Sequence, residues 1–277
     1  MPRTLSLEDL CIHQVCLLEQ CDFAEALECL ARHGVFQTAL WRPMLESSGV
    51  ASARKALVDT GVSPVALCPL VLRDPESPLS PEQQQEDHRR LLDLAAELEV
   101  PSVVVITGGL PEGEKDLQAQ RVRALEALEA LLTEARKLGL RLILEPLHPM
   151  VCGLRSVISS LEDANAMLSA LEAEDVLGIA LDTYALWWDW QLESQIQACG
   201  PRIRHLHVSD WLPRTRDLRL DRGMPGDGCI DNRKIRHWLE NEGFDGPVEV
   251  ELFSLWDWWK KPPDLVVETI CQRLGVL

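Results

Sequence analysis

The sequence predicts an α/β protein folded as a single-domain (β/α)8 TIM barrel, and three observations carry that reading. Short apolar runs of strand length alternate with longer amphipathic segments from one end of the chain to the other. There are eight such runs within 277 residues, close to the usual size of this barrel. No Pro/Gly/Ser-rich linker or low-complexity tract divides them. Strands apolar on both faces, each followed by a helix, call for a parallel sheet, because a parallel connection needs a crossover that covers the sheet.

The first run, LCIHQVC (10–16), precedes the amphipathic FAEALECLARHG, whose last residue, Gly34, suits a helix C-cap. HQVCLLEQCDF, which follows the first strand, lacks the glycine-rich fingerprint that an open doubly wound sheet normally carries there. FQTALW (36–41) and SPVALCPL (63–70) are the second and third strands. RDPESPLSPEQQQEDH (73–88) is polar enough to be expected as a mobile loop over one end, ahead of the helical DHRRLLDLAAELEV. The fourth strand, SVVVITGG (102–109), leads to RVRALEALEALLTEARKLG, and the fifth, LRLILEPL (140–147), to SLEDANAMLSALEAE. VLGIALDTY (176–184), IRHLHVSD (203–210) and PVEVELFS (247–254) complete the eight.

Composition restricts the partners. With 27 Lys+Arg against 44 Asp+Glu the net charge is −17, so a nucleic-acid backbone is repelled and an anionic substrate needs a locally basic pocket or a metal. Nine cysteines, an odd number with no C-x-x-C pair, fit neither a disulfide framework nor a cysteine zinc ribbon; reduced thiols and a cytoplasmic location are expected. The first residues do not read as a signal peptide, and no run approaches 18 apolar residues, so no membrane association is expected.

Chemistry in such a barrel sits at the carboxyl ends of the strands. Strand five ends at Glu145, strand six at Asp182, strand seven at His207 with Asp210 just beyond, and strand eight at Glu251. Any one has an ordinary explanation: an acid can cap the next helix, and a histidine can be a hydrogen-bonded core residue. Three acids and an imidazole on four neighbouring strand ends instead ask for a cation between them. One divalent metal satisfies this, with Mn2+, Mg2+ or Co2+ suiting the ligands and Zn2+ also permitted. His205 shares the strand parity of His207, and Glu249 that of Glu251. That pattern predicts an inward pair, one layer deeper, joined by a hydrogen bond and orienting the ligands above.

LILEPLHP, GIALDTY, IRHLHVSDW, DRGMPGDGCID and FDGPVEVELFS, in this order, resemble the xylose-isomerase-like TIM-barrel family of sugar isomerases and epimerases. The likeness spans nearly the whole chain and is nearest to the branch holding ketose 3-epimerases, hydroxypyruvate isomerase and inosose dehydratase. It implies that Glu145, Asp182, His207 and Glu251 hold one divalent metal, with Glu145 and Glu251 also moving protons on opposite faces of the substrate through an enediolate. The implied partner is a small carbohydrate, sugar phosphate or keto acid, and a homo-oligomer fits the same likeness. A lyase acting on a related substrate, or a relative with altered catalysis, is the alternative.

Arg222 corresponds to the substrate-side basic residue, with Arg214 competing on the same loop, while Gly226 and Gly228 shape that loop. His148, Tyr184 and His13 are further pocket candidates, as are Trp41 and Arg42. LWWDW (186–190) and LWDWWKK (255–261) follow strand ends, and Trp187 is expected as an apolar wall against a sugar face. One departure stands out. Ketose epimerases of this kind carry a histidine three positions after the metal aspartate, and this chain has Ala185.

Overall fold

The computed structural model describes residues 2–277. Eight parallel strands run in chain order around the molecule: β1 (Leu10–Ile12), β2 (Gln37–Trp41), β3 (Ser63–Val71), β4 (Ser102–Ile106), β5 (Arg141–Leu144), β6 (Leu177–Asp182), β7 (Ile203–Val208) and β8 (Val248–Val250). Each overlaps one predicted apolar run. Helices surround them: α1 (Phe23–Arg32), α2 (Arg42–Ser48), α3 (Val50–Thr60), α4 (Pro81–Glu97), α5 (Leu117–Leu138), α6 (Leu161–Leu171), α7 (Thr183–Leu186), α8 (Leu192–Cys199), α9 (Asn232–Asn241) and α10 (Pro263–Gln272). Most strand residues are buried, as in parallel strands covered by helices, with β3 the most open.

Ladders join every neighbouring pair from β2 through β8 and on to β1. Between β1 and β2, the described residues form no ladder. Side chains bridge that seam: Thr38 Oγ1 donates to the Ile12 carbonyl at 2.7 Å, and the Trp41 amide donates to Gln14 Oε1 at 3.0 Å.

The segment 73–88 departs from expectation. Its second half is the start of α4, where Ser80 Oγ accepts from the Gln83 amide and Gln83 Oε1 accepts from the Ser80 amide. Ser-Pro-x-Gln is a capping box with proline at the first helical position, and that local pairing outweighs the polar composition. No helix is long and apolar enough to cross a membrane.

Candidate active site

The four strand-end groups meet at the carboxyl end of the barrel. Glu145 follows β5, Asp182 closes β6, His207 lies in β7 and Glu251 follows β8; all four are buried. Glu145, His207 and Glu251 each offer a ligand atom within 4.8 Å of the other two. His207 Nδ1 lies 3.0 Å from Glu145 Oε1. Asp182 sits beside His207 in the ladder and serves two purposes, because its Oδ1 also accepts from the Tyr184 amide at the start of α7.

Arg222 is the buried cation of this cluster. Its Nη1 lies 3.0 Å from Asp182 Oδ2 and 3.0 Å from Glu251 Oε2. The guanidinium carbon stands 4.4 Å from the Tyr184 ring centroid and 5.0 Å from that of Phe253. Arg214 is exposed and does not line the pocket, so the loop contributes Arg222.

Charge and burial compete here. Burial pushes Asp182 up to about 6, although Arg222 opposes the shift. Burial acts on Glu251 in the same sense, but Arg222, His13 and His207 outweigh it and hold its carboxyl below the usual range. Burial disfavours a charged His207, yet Glu249 and Glu145 raise its pKa well above the ordinary histidine value. Burial lifts Glu249 to about 7.

The register between β7 and β8 corrects one expectation. His207 is opposite Glu249, not Glu251, because the strands of a barrel are staggered. Glu249 Oε2 therefore lies 3.7 Å from His207 Nε2. His205 and Glu249 form no hydrogen bond, although a ring nitrogen of half-buried His205 lies within 4.8 Å of a Glu249 carboxylate oxygen, and its ring stands edge-on to His207 at 6.1 Å.

The pocket above the acids is lined by Trp41, Ile106, Leu147, His148, Arg155, Tyr184, Ala185, Arg219 and Phe253, among others. His148 and Tyr184 are thus brought to the same cavity. Trp211, absent from the sequence-derived candidates, stands behind them, 5.1 Å from the His148 ring and 4.9 Å from that of Tyr184. Trp187 packs on Trp211 at 5.8 Å and does not line the pocket, correcting its expected role as a wall. His13 does not line it either. It lies below, Nδ1 accepting from the Val15 amide and Nε2 at 4.0 Å from Glu251 Oε1, with burial pushing its pKa down to about 4. Arg42 turns away to pair with Asp87 and Glu46.

The loop after β7 is built around Asp210. Its carboxylate accepts from the amides of Trp211, Gly226, Gly228 and Ile230, at 2.8–2.9 Å. A Cβ on residue 228 would fall 2.2 Å from the Trp211 carbonyl oxygen, so the loop closes only over glycine. Asp210 thus shapes the loop that delivers Arg222.

The donor set fits a divalent cation. Three buried carboxylates and one imidazole offer oxygen-rich coordination, and His207 Nδ1 faces the acids while Nε2 faces Glu249 without a hydrogen-bond partner among the described residues.

Comparison with solved structures places this architecture among relatives. A protein from Sinorhizobium meliloti 1021 is 37% identical, with 98% of each chain covered and a TM-score of 0.92. IolI, solved with a bound zinc atom, is 21% identical, with 97% of this chain and 96% of its own covered and a TM-score of 0.82. D-allulose 3-epimerase from Methylomonas sp. is 15% identical, with 97% of each chain covered and a TM-score of 0.77. A search of curated proteins by sequence finds no match. The sequence model described as "Xylose isomerase-like TIM barrel" matches residues 22–270, so the chain belongs to that family.

Proposed function

We propose that the protein is a divalent-metal-dependent isomerase or epimerase of a small sugar, sugar phosphate or keto acid, acting by proton transfer next to a carbonyl. The observation that carries this reading is the meeting of Glu145, His207 and Glu251 within 4.8 Å, with Asp182 beside His207, at the base of a pocket. Glu145, Asp182, His207 and Glu251 hold the cation, which when bound polarises the substrate carbonyl and stabilises negative charge developing on its oxygen.

Glu251 is one proton carrier, its carboxylate kept ionised in a buried site by Arg222. Glu145 is the second proton carrier. Return of the proton to the opposite face gives an epimer, and return to the neighbouring carbon gives an isomer. Trp41 and Phe253 supply an apolar wall that limits water access during the transfer. Ala185 supplies no polar contact, so His148 and Arg222 orient the substrate oxygens instead.

The test combines metal content with isotope exchange. Purified protein is expected to bind one divalent ion per chain, with binding lost in Glu145→Gln and Asp182→Asn. Incubation with candidate ketoses in deuterated water is expected to give metal-dependent incorporation next to the carbonyl. Loss of water from the substrate would assign a lyase, and no exchange with any candidate would count against the isomerase reading.

A further inference from the structure

Two arginines stand at the pocket with no acidic partner. Arg155 and Arg219 both line it, yet among the described residues neither lies within 4.0 Å of a carboxylate oxygen. In a chain of net charge −17, with 44 acidic residues, leaving two guanidiniums unpaired beside one cavity needs an explanation. Arg219 is exposed and Arg155 half-buried, so both guanidiniums are within reach of a ligand in the cavity.

Both are presented by braced turns. The turn carrying Arg155 is clamped to the segment after β4: the Leu110 amide donates to the Gly153 carbonyl at 3.0 Å, and the Val157 amide donates to Thr107 Oγ1 at 2.9 Å. A Cβ at Gly109 would meet the Leu154 backbone at 2.3 Å, so this contact requires glycine. On the other side, Asp217 Oδ1 accepts from the amides of Arg219 and Leu220, each at 2.8 Å, while the Arg219 guanidinium carbon stands 5.6 Å from the Phe253 ring centroid. The acids lie at the strand ends and these arginines on the loops above, so the pocket is polarised along its depth.

We infer that Arg155 and Arg219 form a binding site for the anionic group of the substrate, a phosphate or a carboxylate, on the part of the molecule remote from the reacting carbonyl. This deepens the isomerase reading and rests on it, since it selects charged substrates over neutral sugars. Guanidinium forks suit either group because both present paired oxygens.

The experiment measures binding by calorimetry to the metal-loaded full chain, with three matched probes: dihydroxyacetone, its phosphate, and hydroxypyruvate. A second pair, fructose and fructose 6-phosphate, tests a longer substrate. At least one anionic probe is expected to bind tenfold or more tightly than its neutral counterpart. Arg155→Gln and Arg219→Gln together should abolish that preference while leaving the metal stoichiometry and neutral-probe affinity unchanged. Which anion gains distinguishes phosphate from carboxylate.

Equal affinity for neutral and anionic probes, no binding of any anionic probe at 10 mM (roughly the weak limit for a specific small-ligand site), or a preference that survives the double substitution would each overturn the inference. Because the readout is binding, failure of isotope exchange in the wild type would strike the isomerase reading without deciding this one.

Discussion

Glu249 is the residue whose position changes most between sequence and structure. Strand parity correctly turns it inward, but a stagger of one layer puts it opposite His207 instead of His205. Parity is a local property, visible within one strand; the offset between strands is set by closure of the whole barrel and leaves no local trace. Glu249 thereby faces the imidazole nitrogen that points away from Glu145, 3.7 Å away. Glu249→Gln is expected to weaken metal binding by about tenfold or more, whereas His205→Ala should leave it nearly unchanged. Titration of both variants with Mn2+ checks this, and equal behaviour would deny Glu249 its orienting role. Trp187 failed as a wall for a related reason: residue type announces an aromatic surface, but the first turns after β6 decide which way the ring faces.

Among elements, the strands were the most legible and the connecting loops the least. All eight apolar runs contain a strand, and the acids at their ends fall together because a parallel barrel brings those ends to one face. Arg155 and Arg219 carried no periodic signal; they matter because the loops after β5 and β7 fold over the same opening. The β7 loop in turn depends on one carboxylate. Asp210→Ala removes the acceptor for four amides and is expected to cost about 3 kcal/mol or more, judged from hydrogen bonds to charged groups. Gly228→Ala should cost about 1–3 kcal/mol, because Trp211 must yield its place. Urea unfolding monitors both losses. In each variant, the position of Arg222 and hence the activity should suffer beyond the stability change.

For the whole molecule, acid sensitivity has a source away from the site. His88 is buried in α4 and its Nε2–H donates to the Val71 carbonyl at 2.9 Å; burial lowers its pKa below 6.5 despite that bond. The unfolded chain therefore takes up a proton that the folded one refuses, so this contribution to stability is complete above pH 6.5, roughly the unfolded histidine pKa. It is lost as the pH falls through the lower, folded value. His88→Gln keeps a donor for Val71 and should lose less stability between about pH 7.5 and 5.5 than the wild type, as denaturant midpoints will record. If both lose the same amount, His88 is not responsible.

A ring has no beginning, but this one has a clasp. Seven of its eight junctions are backbone ladders, while β1 and β2 are fastened by the hydroxyl of Thr38 and the amide of Gln14. Breathing is concentrated where the fastening is sparse, so the barrel should loosen at that clasp first. Trp41, the last residue of β2, rides on its edge and meets Phe253 at 5.7 Å across the pocket. Exchange of its amide hydrogen, which Gln14 holds, would then report the molecule opening and shutting like a bracelet, with the pocket beneath the catch.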